Sequence, residues 1–296
     1  DDEKSSELSS ERDEQIEKLF NYVNKDFSSS YINLNELFTF DKSLIGSGTH
    51  SNVFIVNDKM TNKQYAAKIL KYSINEMPVQ FLNELMVLRS LRYPSIIKFI
   101  GFSDKNFQNE NYPTIITEYL KNGSLLNLLI DVHKGTKELS NTKKMMILIG
   151  IALGIEHLHN HGIIHCDLKL ENILMDDNLN PKICDFGNSK PLSLDTSNII
   201  GTPLYMAPEV INGQPHSFLS DVFSFGVIAY FIYTDRIPNV NEPITISDSL
   251  NQSAFLSELL DENPENRPTF QQIVSSFFTE REKTWLENVD EDENEV

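Results

Sequence analysis

Two periods of hydrophobicity divide the chain. From Phe38 onward, apolar and β-branched residues come in short runs: Leu44-Ile45, Val53-Phe54-Ile55-Val56 and Tyr65 to Leu70, separated by Gly, Asn-Asp and Thr-Asn turns. Such runs predict strands. Between Pro78 and Leu91 the period changes, because Val79, Leu82, Leu85, Met86 and Leu88 recur at three and four and predict a helix with one apolar face. Ile96 to Phe102 and Thr114 to Tyr119 return to strand. Five strands and one inserted helix make a small, mostly antiparallel lobe over residues 38–118. After Gly123 the pattern is largely helical. Thr142 to His159 is strongly apolar, Asp221 to Tyr233 is apolar almost all the way round, and Gln271 to Phe278 forms a last amphipathic piece. A helix apolar on every side belongs in the middle of a lobe. The expected fold class is α+β, with a helical lobe over residues 119–278 joined to the strand-rich one near residues 118–121; there is no internal repeat.

The two ends differ from the middle. Residues 1–30 are an acidic N-terminal extension with nine acids and four bases, and residues 280–296 hold eight acids and two bases. Together they account for more than half of the formal charge of −18, which reads as solvated tails, the second running over 279–296. Ile16, Leu19, Phe20 and Val23 follow helical spacing and predict either a short docking helix or the end of a linker. A negative surface argues against nucleic acid or anionic membrane as the main partner. The longest apolar run, Met145 to Ile155, has eleven residues, about half of the ~20 that span a bilayer. No cleavable signal peptide is visible. Two cysteines, Cys166 and Cys184, make no disulfide framework and suit a reduced, cytoplasmic protein. Asp1 is not an initiator methionine, so a fragment or processed product is expected.

The chemistry concentrates in two places. His165-Cys166-Asp167-Leu168-Lys169-Leu170-Glu171-Asn172 is followed, thirteen residues after Asn172, by Asp185-Phe186-Gly187. Two carboxylates, a lysine and an amide at these spacings suit Mg²⁺ and a phosphoryl group held beside a hydroxyl. Phosphoryl transfer needs metal to neutralise moving charge and a carboxylate to orient the attacking oxygen. The arrangement resembles a eukaryotic protein kinase, and Lys169 resembles the Ser/Thr-directed branch. The resemblance implies a bilobal kinase-like fold, ATP and Mg²⁺ as cofactors and protein Ser/Thr hydroxyls as substrates. It makes Asp167 the base, Lys169 the charge stabiliser, and Asn172 and Asp185 the Mg²⁺ ligands.

Further matches extend it over residues 38–278. Gly46-Ser47-Gly48-Thr49-His50-Ser51 sits between two strands, where glycines let backbone N–H groups approach phosphates. Val53 stands where the family packs an aliphatic side chain on adenine. Ala66-Ala67-Lys68 is similar to the third strand of the family, whose lysine contacts the α- and β-phosphates, and Glu84, sixteen residues on, is similar to the glutamate that pairs with it. Ile116-Thr117-Glu118-Tyr119-Leu120 resembles the hinge, with backbone groups of Glu118 and Leu120 on adenine and Thr117 at the back pocket. Ile45, Ala66 and Leu174 complete the nucleotide set by resemblance. Gly201-Thr202-Pro203-Leu204-Tyr205-Met206-Ala207-Pro208-Glu209 resembles the end of a Ser/Thr kinase activation segment. Thr202 would bridge Asp167 and Lys169, and Glu209 would pair with Arg267. The Met206 to Glu209 stretch and Gly101 are compatible with the tyrosine-kinase-like group. His157, His159, His161 and His165 alternate at two, which does not suit a metal site on one helix face.

Three positions depart from the pattern. Ser51 replaces the third loop glycine. Cys166 replaces the arginine that commonly receives an activation-loop phosphate, and a thiol cannot supply that cation. Activity is therefore expected to depend little on phosphate at Ser193, Thr196 or Ser197. Only 45 residues separate Asp221 from Arg267, fewer than in many relatives, with no long helix expected over 239–251. The rival from another class is a nucleotide-binding, pseudokinase-like scaffold with little or no transfer. A small-molecule kinase is disfavoured by the Gly201–Glu209 segment. Oligomeric state is not legible.

Overall fold

The computed structural model describes residues 30–73, 79–192, 200–239 and 244–278. The helix expected around Ile16 to Val23, the acidic tail, Ser193, Thr196, Ser197 and residues 240–243 lie outside the described residues. The chain separates into two compact units. One takes the described residues up to Ser90 together with Lys98–Tyr119, and the other takes Leu91–Ile97 and everything from Leu120.

The strand-rich unit is a five-stranded antiparallel sheet of β1 (Phe38–Ser47), β2 (Ser51–Asp58), β3 (Gln64–Leu70), β4 (Phe99–Ser103) and β5 (Thr114–Glu118), in the order β1-β2-β3-β5-β4. Helix α1 (Leu34–Leu37) precedes it and α2 (Val79–Ser90) is inserted between β3 and β4. β1 is one long strand although its apolar runs looked separate. Lys42 takes φ 65 and the register shifts between Phe40 and Leu44, so a bulge absorbs the break and the ladder continues. β4 begins later than Ile96. Ile97 N–H donates to the Ile183 carbonyl and Ile183 N–H to Ser95, which assigns Ser95–Ile97 to the helical unit.

One face of this sheet buries Leu34, Phe38, Val56, Ala67 and Ile116, with Ile32, Ile100 and Phe107 packed around them. Each such apolar side chain, removed from water, contributes roughly 1.5–3 kcal/mol. The core therefore draws on residues ahead of β1. Ile32 N–H donates to the Phe102 carbonyl, and a Cβ on Gly101 would lie 2.8 Å from the Ile32 side chain, so only glycine permits this approach.

The helical unit contains α3 (Leu125–His133), α4 (Asn141–Asn160), the short α5 (Pro208–Ile211), α6 (Phe218–Thr234), α7 (Ser253–Leu259) and α8 (270–278). Ser124 and Asn127 close a reciprocal capping box on α3, as Ser217 and Ser220 do on α6. α6 is buried from Phe225 to Ile232 and packs on α4, whose Ile147, Ile151, Ile155 and Leu158 are fully buried. Two small two-stranded sheets complete the unit: β6 (Ile163–Ile164) pairs with β9 (Lys190–Pro191), and the hairpin strand β7 (Ile173–Met175) with β8 (Pro181–Ile183). The residues described between 244 and Gln252 form turns and no helix.

Candidate active site

The loop between β6 and β7 is fixed from beneath by Asp221, a fully buried carboxylate near the start of α6. It accepts from the backbone N–H of His165 at 2.8 Å and of Cys166 at 3.1 Å, and it meets His159 Nε2 at 2.9 Å. Burial pushes the Asp221 carboxyl upward; the His159 and His165 contacts outweigh it and hold the group below the ordinary aspartate value. This grip keeps Cys166 in the left-handed region at φ 65, a conformation that costs a non-glycine residue about 1–2 kcal/mol. Burial pushes the Cys166 thiol far up, so it is an unreactive, neutral group.

Two side chains of this loop close a ring with Thr202. Lys169 Nζ lies 2.8 Å from Asp167 Oδ2 and 2.9 Å from Thr202 Oγ1, and the Thr202 hydroxyl donates to Asp167 Oδ1 at 2.9 Å. The hydroxyl has one proton, so it gives to the carboxylate and receives from the ammonium. Both Asp167 oxygens are thereby oriented. Asn172 Nδ2 donates to the Asp167 carbonyl at 2.8 Å, which leaves its amide oxygen as the end able to face a cation.

The β7–β8 hairpin brings Asn172 to the residue before Asp185. Ile173 pairs with Ile183, and Cys184 N–H donates to the Asn172 carbonyl at 2.9 Å. Asp185 follows at φ 62 with its side chain exposed, while Phe186 is fully buried with its ring 5.4 Å from that of His165. The left-handed kink at Asp185 is what separates an outward carboxylate from an inward phenyl ring. An amide oxygen and a carboxylate at one end of a hairpin are hard oxygen donors of the kind Mg²⁺ takes, so the residues present fit that ion.

In the strand-rich unit, Lys68 Nζ lies 2.6 Å from Glu84 Oε2 on α2. Ala66 and Lys68 share one face of β3, paired with Thr117 and Ile115 of β5. Gly46 and Gly48 lie at the β1–β2 turn, where Gly48 N–H donates to the Ser51 carbonyl. An added Cβ at either glycine would meet only ordinary van der Waals contacts, at 3.6 Å and beyond, so the protein's own packing does not demand glycine there. Ile45 is exposed beside this turn, Ser47 Oγ donates to Asn52, and Val53 stands opposite both Gly46 and Lys68. Glu118 N–H donates to the Lys98 carbonyl, and its carboxylate accepts from the Lys98 N–H. Leu120 and Leu174 lie in the helical unit.

The Gly201–Glu209 segment is anchored at its far end. Arg267 places Nη1 and Nη2 at 2.7 and 2.8 Å from the two Glu209 oxygens, and gives further bonds to the carbonyls of Leu219 and Asp261.

The protein kinase domain family matches residues 40–279. The chain belongs to the protein kinase family. It is similar to a "Probable serine/threonine-protein kinase" of Dictyostelium discoideum (36% identity over 209 residues, 66% of this chain and 20% of that protein). It is also similar to the Arabidopsis thaliana serine/threonine-protein kinase CTR1 (35% over 218 residues, 66% of this chain and 26% of that protein). A third relative is the Dictyostelium discoideum dual specificity protein kinase splA (31% over 230 residues, 66% of this chain and 9% of that protein). The chain thus spans between 9% and 26% of the length of these relatives. Among the described residues no helix is long and apolar enough to cross a membrane.

Sequence reasoning missed two contributors. Asp221 was legible only as the start of an apolar helix, yet it carries the catalytic loop. His159 stood in a histidine series whose spacing does not suit a metal site; near the end of α4 it stacks on Phe218 and touches Asp221, while His157 stacks on Tyr93. The signal for Asp221 was available: an aspartate inside a helix apolar on all sides needs buried donors.

Proposed function

We propose that this domain transfers the γ-phosphate of Mg-ATP to Ser or Thr hydroxyls of protein substrates. The ring of Asp167, Lys169 and Thr202 is the observation that carries this reading, since it orients a carboxylate and a cation together and a binding scaffold has no chemical use for either. Asp167 orients the substrate hydroxyl and accepts its proton. Lys169 faces the transferring phosphoryl and offsets its charge, and Thr202 holds both in place. Asn172 and Asp185 are the residues that would hold Mg²⁺, which supplies neutralisation of phosphate charge when bound. Lys68, steadied by Glu84, contacts the α- and β-phosphates beneath the Gly46-Ser47-Gly48 turn. Ile45, Val53, Ala66 and Leu174 pack on the adenine, with Thr117 behind it and backbone groups of Glu118 and Leu120 along its edge.

Within the family we place the domain in the tyrosine-kinase-like group, and in the cytoplasm, where Cys166 and Cys184 stay reduced. The test is incubation with Mg-ATP and a mixed Ser, Thr and Tyr peptide library, read by mass spectrometry, for wild type and Asp167→Asn. Phosphate on Ser and Thr with wild type alone is expected. Equal products from both proteins overturn the assignment of the base, and phosphate on Tyr as well widens the specificity.

A further inference from the structure

Thr202 sits between Lys169 and Asp167 on backbone that needs its own anchors. Gly201 takes φ 122, and a Cβ there would lie 2.9 Å from the Cys166 carbonyl oxygen, so this stretch runs flush against the catalytic loop. One residue earlier, the Ile200 carbonyl meets His216 Nε2 at 2.9 Å. His216 is buried at 8% exposure. It immediately precedes Ser217, the cap of α6, and lies five residues before Asp221. The same helix start therefore holds the catalytic loop through Asp221 and the Ile200–Thr202 backbone through His216. A carbonyl only accepts, so Nε2 carries the proton, and Nδ1 is 3.4 Å from Ser220 Oγ. Burial holds the imidazole below its ordinary pKa despite Asp221 and Glu209, with Lys190 acting in the same direction as burial, and the neutral form prevails near pH 7.

We propose that His216 is a positioning residue for phosphoryl transfer: its bond to the Ile200 carbonyl sets the register in which Thr202 bridges Asp167 and Lys169, and needs no phosphate on the segment. The inference rests on the reading of Asp167, Lys169 and Thr202 as transfer machinery. It also accounts for Cys166. Where the resemblance implies an arginine that clasps a phosphorylated segment, this chain has a buried thiol, and the histidine supplies an anchor from another direction.

The experiment compares full-length wild type, His216→Ala, His216→Gln, Thr202→Ala and the His216→Ala/Thr202→Ala pair. His216→Ala is expected to lower kcat roughly 10- to 100-fold with KM for ATP unchanged. Gln, whose Nε2–H lies the same number of bonds from Cα, restores most of the rate. The pair is no slower than Thr202→Ala alone, because both changes remove one bridge. Phosphatase treatment leaves wild-type kcat unaltered. Effects that multiply in the pair, or a Gln variant as slow as Ala, overturn the proposal. Amide hydrogen exchange over 200–202 gives a readout independent of turnover: it speeds in His216→Ala and returns to the wild-type rate in His216→Gln. Unchanged exchange in Ala removes the anchor. A wild type that transfers nothing instead counts against the proposed function, with the exchange result still deciding whether His216 holds Ile200. If Ala does not fold, the Gln variant must match wild type in kcat and exchange, and failure to do so overturns the proposal.

Discussion

Two ion pairs, Lys68–Glu84 in the strand-rich unit and Arg267–Glu209 in the helical one, are built differently. Arg267 and Glu209 meet through two parallel bonds, the guanidinium is fully buried, and two backbone carbonyls accept from it at 3.0 Å or less, with a third, of Glu262, at 3.5 Å. Lys68 and Glu84 meet at 2.6 Å, with the lysine side chain 24% exposed. A planar fork in a buried cage has one arrangement, whereas an ammonium on a flexible stem can leave and be replaced by water. The first pair is an anchor and the second a latch: Glu209 sits in a cage with one arrangement, and the position of Lys68 depends on where α2 lies. Kinase chemistry needs both, because the base must be rigid while nucleotide has to enter and leave.

The strongest way to break this contrast is Arg267→Ala. It leaves Glu209 and two carbonyls without their partner, and opening a buried pair from one side costs about 3–5 kcal/mol. For a chain of this size about 1 kcal/mol moves Tm by roughly 2–4 °C, so thermal denaturation should fall by well over 5 °C while nucleotide affinity measured on the folded fraction holds. Arg267→Lys should lie between, since it keeps the charge and loses the fork. An unchanged Tm for Arg267→Ala refutes the anchor.

Next in size comes acid. Asp221 binds its proton less tightly folded than unfolded, so its contribution is fully present above the unfolded value near ~4 and disappears as pH falls through the lower folded value. Urea midpoints for wild type should therefore decline below about pH 4. Asp221→Asn should lose about 1–3 kcal/mol at neutral pH and show a flatter decline. A parallel pH profile for the two proteins would mean that other carboxylates govern acid unfolding.

Glu84→Gln sharpens the other side of the comparison. A partly exposed pair is worth about 0–1 kcal/mol, so Tm should barely move. Turnover should nonetheless drop by an order of magnitude or more, with KM for ATP raised, because the amide no longer offers Lys68 the carboxylate charge it meets at 2.6 Å. If Tm falls as far as in Arg267→Ala, the latch is an anchor too.

How much of this was legible in the sequence follows the same division. The α+β plan and the apolar α6 came from periodicity, which reports local geometry well, and the Lys68–Glu84 pairing came from the resemblance to the kinase family. What escaped were contacts set by tertiary placement. Ile32 and Leu34 precede the first obvious strand, yet Leu34 is buried in the core and Ile32 packs on it and closes against Gly101. Ile96 and Ile97 have strand chemistry, but the Ile96 N–H donates to Tyr93 and the Ile97 N–H to Ile183. His216 and Asp221 carry no motif that names their acceptors and donors, since those are backbone groups far away in sequence. Backbone partners leave no residue-type signature.

The smallest expected effect concerns Ser51, which stands where the resemblance has a third glycine. Ser51 is buried in β2, opposite Leu70, and its carbonyl already accepts from Gly48 N–H. Its backbone is ordinary strand, so nothing in the turn requires a residue without a Cβ. Ser51→Gly should accordingly lose stability, by about 0.5–1 kcal/mol from the added freedom of the unfolded chain, and should leave Tm within a few degrees. The informative number is KM for ATP. If the strand-rich unit is the adaptable half, loosening this turn should shift KM by less than about threefold while kcat, set by the Asp167 ring in the other unit, stays constant; each factor of ten would represent about 1.4 kcal/mol. A change in kcat with KM fixed would show that the glycine turn takes part in the transfer step itself, and the separation of rigid chemistry from adaptable nucleotide handling would not hold.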